Sequence, residues 1–370
     1  MPLTWIEINK KNLEHNLKQF NKVANHSELW PVVKSNAYGH GLVEVIKILD
    51  KDKNANGFMV VNLGEALQAA KLTKKPIMIL SYFSMDEDLL KKVIHKKISL
   101  PVYDLDMVDY LEHLGKKLKA KFSINIKIDC GTSRLGFKAE EAEDAIEYIT
   151  KKKNLRLHSI FTHYAESEAE DKSFTLQQFS AFNEIAGKYF DIKMHSACSA
   201  SAISMPETQQ DLVRVGISLY GLWPSQATRQ RGEKVGIKLH PVMSLKTKIV
   251  QIKDLKKGES VGYNRTYSCT KACKLAVLPI GYNEGYSRLF SNKAKVLIKG
   301  KRYLVRGNIC MNLTMVELPA NTNIKVGEQV TLLGHDGRDD ISAEELAELS
   351  QTINYEVVTK IKKDLPRVIV

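Results

Sequence analysis

The chain has 370 residues, of which 44% are hydrophobic and 26% charged, and a formal net charge of +13. The length exceeds one usual core, so two domains are expected, and the composition is that of an ordinary globular protein, not of a disordered or fibrous one. The positive balance does not read as a nucleic-acid interface. Its lysines fall in short clusters such as Lys116-Lys117 and Lys151-Lys152-Lys153, where helix ends are expected, with no aromatic-interleaved basic stripe. Such a field can still draw in a phosphate or a carboxylate. The five cysteines are odd in number and scattered, which predicts a reducing, cytoplasmic setting without a disulfide framework. Cys269 and Cys273 lack a second Cys/His pair at zinc spacing, so no metal is expected. No stretch approaches the roughly 20 apolar residues of a membrane span. Residues 3–8 alternate as a strand does and do not form a signal peptide.

After that first strand, Leu13, Leu17, Phe20 and Ala24 recur at helical spacing. Apolar strand-like runs follow at 30–34, 57–62, 76–81, 98–103, 121–129, 156–163, 192–197 and 212–221. Helix-competent segments fill most intervals, among them 64–71, 139–149 and 176–189. Eight strands alternating with helices predict a (β/α)8 barrel. Beyond about residue 235 the rhythm changes to strands joined by short turns such as Lys257-Gly258 and Lys299-Gly300. One late helix opens at Ser342-Ala343-Glu344-Glu345 in the form of a capping box. The expected organisation is α/β plus β. Residues 1–8 form a strand that packs with the β domain, 9–235 form the barrel, and 236–370 form a mostly β domain.

The chemistry concentrates where barrel strands are expected to end. Trp30-Pro31-Val32-Val33 runs into Lys34, then Ser35-Asn36-Ala37-Tyr38-Gly39-His40-Gly41. A lysine at the carboxyl end of a buried strand is partly desolvated, which lowers its pKa and frees the lone pair that a Schiff base with an aldehyde requires. Tyr38, one turn further on, offers a hydroxyl to an anion. The fifth strand ends Lys127-Ile128-Asp129-Cys130-Gly131-Thr132-Ser133-Arg134-Leu135-Gly136. An arginine set between glycines past a strand end can fork onto a carboxylate or phenolate, and Lys127 has the parity of a buried residue, so it needs a partner or a lost charge. Thr162-His163-Tyr164-Ala165 ends the sixth strand, and His195-Ser196-Ala197-Cys198-Ser199-Ala200 follows the seventh. The eighth gives Val213-Arg214-Val215-Gly216-Ile217, where backbone N–H groups at Gly216 and Ile217 can cradle a phosphate.

These strings, in this order, resemble the alanine racemases. The resemblance implies pyridoxal phosphate (PLP) carried on Lys34, with Tyr38, Ser199, Gly216, Ile217 and Tyr355 around its phosphate. It further implies Arg134 on the phenolic oxygen and the substrate carboxylate, His163 beside the cofactor ring, and Arg214 facing the ring nitrogen. Lys127 would be carbamylated, its charge inverted so that it orients Arg134. In the β domain, Gly262-Tyr263-Asn264-Arg265 resembles the segment bearing the second base. Two bases, Lys34 and Tyr263, would serve the two faces of Cα. Asn308-Ile309-Cys310-Met311-Asn312 resembles the carboxylate-binding loop, with the Met311 N–H as donor, while Tyr282 and Glu168 fall at the substrate entrance. The family's arrangement implies a homodimer whose β domain completes the other subunit's site, and D-alanine supplied for peptidoglycan.

Four positions depart from the family's pattern. Cys198 replaces an asparagine, Asn308 an arginine and Asn312 an aspartate, and Glu168 stands where aspartate is frequent. The leading expectation is interconversion of L- and D-alanine. Other readings are a same-fold racemase for serine or a broader amino-acid set, a barrel decarboxylase, and a non-catalytic PLP-binding protein. An arginine facing the ring cannot protonate it, since its pKa exceeds about 12, and this disfavours the decarboxylase. The β domain, with Tyr263 and Met311, disfavours the simple binder.

Overall fold

The structure, a computed structural model, describes residues 2–24 and 26–370. The chain divides into two compact units. One takes the residues up to Lys11, Tyr38–Glu44 and Pro241–Val370; the other takes Asn12–Ala37 and Val45–His240. No helix among the described residues is long and apolar enough to cross a membrane.

The larger unit is built on eight parallel strands. After an N-terminal strand β1 (Thr4–Ile8), these are β2 (Glu28–Pro31), β3 (Phe58–Val60), β4 (Ile77–Ile79), β5 (Ile98–Val102), β6 (Phe122–Asp129), β7 (Leu155–Phe161), β8 (Lys193–His195) and β9 (Leu212–Val215). Strands β3 to β8 pair in sequence order as one continuous parallel sheet, and β9 pairs with β2. Two parallel bridges close the ring, Val32 with Met59 between β2 and β3, and Cys198 with Arg214 between β8 and β9. The expected (β/α)8 barrel is therefore present. Its first and last strands are shorter than the apolar runs: Val32 and Val33 extend past Pro31 as single bonded residues, and the 212–221 run breaks at Gly216 into a 3-10 turn, Ile217–Tyr220. Those residues stay buried, so hydrophobicity persists after the strand has ended. Helices follow the strands, most of them with a buried stripe. In Leu105–Leu118, for example, Met107, Val108, Leu111 and Leu114 face inward, and Asp104 caps the first turn.

In the smaller unit, β1 joins Met243–Lys248 antiparallel and Arg367–Ile369 in parallel. The same sheet continues through Gln329–Asp336 and Lys295–Ile298 to Lys301–Leu304. A second, three-stranded sheet runs Gln251–Leu255, Cys273–Leu278, Thr314–Pro319. Two late helices are present, not one: Ala343–Leu349 and Asn354–Thr359. Ser342 caps the first by accepting from the Glu345 N–H at 3.0 Å. The Glu345 carboxylate takes Arg302 as its partner at 2.8 Å, a stronger, charge-assisted pairing than the return bond of a capping box.

Candidate active site

The carboxyl ends of the barrel strands gather the charged residues singled out above. After Val33 the backbone makes a turn that the sequence does not announce: Ser35, Asn36, Ala37 and Tyr38 all have φ between 52° and 54°. The Ala37 N–H closes this left-handed turn on the Val33 carbonyl at 2.9 Å. Left-handed helix costs L-residues about 1–2 kcal/mol each, so packing and hydrogen bonds must hold it. Ala37 and Tyr38 are buried. Glu65 accepts from the Asn36 N–H at 3.3 Å with one oxygen and from the Val61 N–H at 3.1 Å with the other. Lys34 heads this turn. Burial and the cations Arg134 and Arg214 lower its pKa, while Glu65 works in the opposite direction.

At the end of β6, Asp129 organises the loop that carries Arg134. One oxygen accepts from the N–H groups of Gly131, Thr132 and Ser133 and from the Thr132 hydroxyl, at 2.8 to 3.2 Å. The other accepts from the Arg134 N–H at 2.8 Å. Burial opposes the charge on Asp129, yet these bonds hold its carboxyl below the usual range. Gly136 closes the loop at φ +140°, where a Cβ would meet the Asp129 nitrogen at 2.5 Å. The Arg134 side chain is exposed. Lys127, two residues before Asp129, is only 5% exposed, and its Nζ lies 5.7 Å from the Phe161 ring centre. Among the described residues it has no hydrogen-bond or carboxylate partner. Burial and the neighbouring Arg134, Arg214 and Lys34 bring its pKa down to about 8, despite Asp129.

Arg214 on β9 is buried and, among the described residues, has no acid as its partner. One terminal nitrogen donates to His195 Nδ1 at 2.7 Å and to the His195 carbonyl at 3.1 Å. The other donates to the carbonyls of Ser196 at 2.6 Å and Thr162 at 2.9 Å, and to His163 Nδ1 at 3.3 Å. Burial lowers its pKa to about 10, so it remains cationic at neutral pH. Burial and the surrounding cations hold His163 and His195 well below the ordinary histidine pKa, so both are neutral. Ser199 accepts from the Gly216 N–H at 2.9 Å, so the end of β9 and the short helix after β8 meet where the phosphate is expected; Ile217 beside them is buried. Glu168 lies exposed on the loop after β7, its carbonyl accepting from Ser225 at 2.7 Å.

The remaining candidates belong to the smaller unit. Tyr38 and Tyr355 face each other at 6.2 Å between ring centres, and the Tyr38 carbonyl accepts from His40 Nδ1 at 3.0 Å. Tyr263 is 68% exposed, Met311 56% and Tyr282 44%. The three share one surface. The Tyr282 and Asn283 N–H groups donate to the Cys310 and Met311 carbonyls, and Asn308 Nδ2 donates to the Tyr263 carbonyl at 3.0 Å. Sequence reasoning gave no role to Glu65, His195, Ser159 or Asn125. His195 was visible inside a motif string, but its partner lies 19 residues away on another strand. Among the described residues no cluster of three His, Cys, Asp or Glu side chains could hold a metal ion.

Solved structures that superpose on the whole chain are those of amino-acid racemases. An alanine racemase of Clostridium difficile 630 superposes with a TM-score of 0.92 at 34% identity, covering 100% of this chain and 96% of that one. A histidine racemase from Leuconostoc mesenteroides subsp. sake superposes at 0.89 and 27% identity, covering 100% of this chain and 98% of that one. The protein is thus an amino-acid racemase. The alanine racemase N-terminal domain model matches residues 8–224 and the C-terminal domain model residues 242–369. The alanine racemase of Methanococcus maripaludis is 37% identical over 98% of both chains. The chain belongs to the alanine racemase family.

Proposed function

We propose that the protein interconverts L- and D-alanine with pyridoxal phosphate held at the barrel mouth, by a two-base mechanism, and so supplies D-alanine for peptidoglycan. One observation carries the cofactor reading. Arg214 has both terminal nitrogens committed to protein acceptors, whereas its Nε–H has none among the described residues, so a cation-held donor is left for a ring nitrogen. Ser199, already accepting from Gly216, keeps its hydroxyl hydrogen for a phosphate oxygen. Ile217, Tyr38 and Tyr355 would complete the phosphate's surroundings. When bound, pyridoxal phosphate supplies an aldehyde for amine capture and a conjugated ring that weakens the Cα–H bond.

Lys34, its pKa lowered, would hold the cofactor and carry a proton at Nζ. Arg134, anchored through Asp129, would bind the phenolic oxygen and the substrate carboxylate. His163 would lie beside the ring. Arg214 would donate to the ring nitrogen and, remaining cationic at neutral pH, would keep its own proton, so that the residues holding the cofactor would favour return of a proton to Cα over competing bond cleavage. Lys127 combines an amine pKa of about 8 with a surround of cations; this suits a carbamate, whose negative charge those cations would stabilise and which would orient Arg134. Tyr263 would exchange the proton on the opposite face, with the Met311 N–H on the carboxylate and Tyr282 and Glu168 at the entrance.

Tyr263, Met311 and Tyr282 stand exposed on one face, which supports a homodimer in which each subunit's β domain completes its partner's site. Mixing inactive Lys34→Ala with inactive Tyr263→Phe tests this. Hybrid dimers with shared sites carry one intact Lys34–Tyr263 pair and regain racemisation. Sites formed within one chain leave every hybrid dead, and that result would sink the shared-site reading. Substrate breadth is tested by following Cα inversion of L-alanine, L-serine, L-lysine and L-histidine separately. Fast inversion of alanine alone is expected. Comparable rates on several would move the assignment to a broad-specificity racemase, a reading that the histidine racemase fold makes worth testing.

A further inference from the structure

Tyr263 is exposed, and among the described residues its hydroxyl has no hydrogen-bond partner in its own chain. A base placed this way takes its position from the backbone beneath it. That backbone is unusual: Gly262, Asn264 and Arg265 have φ of 72°, 59° and 51°, so the turn between the paired segments Ser260–Val261 and Tyr267–Ser268 is set largely by left-handed residues. Two asparagine amides bind this turn. Asn308 Nδ2 donates to the Tyr263 carbonyl at 3.0 Å. Asn292 Nδ2 donates to Thr266 Oγ1 at 3.2 Å, while Asn292 Oδ1 accepts from the Gly307 N–H at 2.7 Å. The turn is therefore tied on both sides to the Gly307–Asn308 segment. Gly307, at φ +71°, permits the close approach this needs, since a Cβ there would meet the Val261 carbonyl oxygen at 2.5 Å.

We infer that Asn308, seconded by Asn292, is a positioning residue that sets where the Tyr263 hydroxyl stands relative to Cα. The inference rests on Tyr263 acting as one of the two bases. Asn308 takes the position where the family's pattern carries arginine, and its amide reaches the carbonyl of the reactive residue itself. A neutral side chain of this length gives a single, short donor with few rotamers. Loss of that donor frees the turn without removing any group from the reaction.

The test uses the full chain loaded with its cofactor and compares Asn308→Ala, Asn308→Asp, Tyr263→Phe and the Asn308→Ala/Tyr263→Phe double variant. Asn308→Asp keeps the size but exchanges the donor for a charged acceptor, and Asn308→Ala loses the donor without adding charge, so an effect common to both is that of the lost hydrogen bond. Racemisation is measured in both directions with protiated and Cα-deuterated alanine, beside thermal unfolding. The expected result for Asn308→Ala and Asn308→Asp is a fall in kcat of about 10- to 100-fold, the range for a misplaced catalytic group. Tm should stay within about 3 °C of the parent, as befits one exposed hydrogen bond. The deuterium effect should grow for the enantiomer whose Cα–H faces Tyr263 and shrink for the other, because only one of the two proton transfers has been slowed. In the Tyr263→Phe background, Asn308→Ala should add nothing. Unchanged rates and isotope effects in both Asn308 variants, with Tyr263→Phe inactive, would overturn the positioning role and leave the base in place. A Tyr263→Phe enzyme as fast as the parent would remove the base, and the positioning role with it.

Discussion

Arg214 and His195 face each other across neighbouring barrel strands at 2.7 Å, guanidinium nitrogen to Nδ1. A guanidinium only donates, so His195 must accept at Nδ1 and carry its hydrogen on Nε2. It then donates to Ser159 Oγ at 3.1 Å, which donates to Asn125 Oδ1 at 2.8 Å. The cation at the barrel mouth thereby sets the direction of a chain of donors through the barrel interior. Replacing His195 by Phe keeps the stacking on Phe161, whose ring centre is 5.0 Å away, but strands a buried charged donor. The expected cost is about 2–3 kcal/mol in urea denaturation, and His195→Gln should recover part of it. A His195→Phe protein as stable as the parent would show that Arg214 does not depend on this acceptor.

His195, which is buried, and His163, which is half-buried, make stability depend on pH. Both His163 and His195 are held well below the ordinary value of 6.5. The unfolded chain therefore takes up protons below about pH 6.5 that the folded chain refuses. Stability is full above that pH and is lost as the pH falls toward the depressed folded values, by up to about 1.4 kcal/mol per pH unit for each histidine. Urea midpoints measured from about pH 7 down to about pH 5 should show this slope, shallower in His195→Gln. A flat profile would mean that the imidazoles charge freely in the fold.

Lys127 provides a sign-specific test of its own. As a free amine its pKa is about 8 against the ordinary lysine value of 10.5, so the folded chain binds its proton less readily than the unfolded chain. The stability present at high pH is lost as the pH falls through about 8, and at neutral pH the buried ammonium destabilises the fold by on the order of 3 kcal/mol. A free Lys127 predicts that Lys127→Met stabilises the protein. A carbamate predicts the reverse, with a CO2-dependent mass increase on the intact protein and lower activity in Lys127→Met that added carboxylic acids partly restore. We expect the second outcome, and an intact mass without bound CO2, together with a more stable Lys127→Met, would refute it.

The left-handed turn after Lys34 should respond to substitution as its backbone dictates. Ser35 is exposed, with φ 54° and ψ 51°, so nothing but conformation is at stake there. Glycine at this position should raise stability by up to about 1 kcal/mol, and valine should lower it by at least as much. Thermal unfolding of the pair reads this directly; equal midpoints would argue against the turn's handedness. Because the turn carries Lys34, Ser35→Gly is expected to lower kcat even while raising Tm.

Much of this protein was determined by sequence alone. The alternation of apolar runs with helix-spaced segments predicted eight parallel strands in order, and the polar residues late in those runs or just past them, Lys34, Lys127, Arg134, His163, Ser199 and Arg214, were expected together at one barrel mouth. That follows because in a parallel barrel all strands point the same way, so each strand's end falls at the same face. Tertiary structure alone decided the rest. The handedness of the turn at Ser35–Tyr38 comes from Glu65 and from the burial of Ala37, not from local propensity, which opposes it. His195 became the acceptor for Arg214, and Asn308 the tether for Tyr263, only once residues far apart in the chain were brought within hydrogen-bond reach. Hydrophobic period records which face of an element is buried, but a hydrogen bond needs two atoms within about 3 Å, and that distance exists only after the chain has closed.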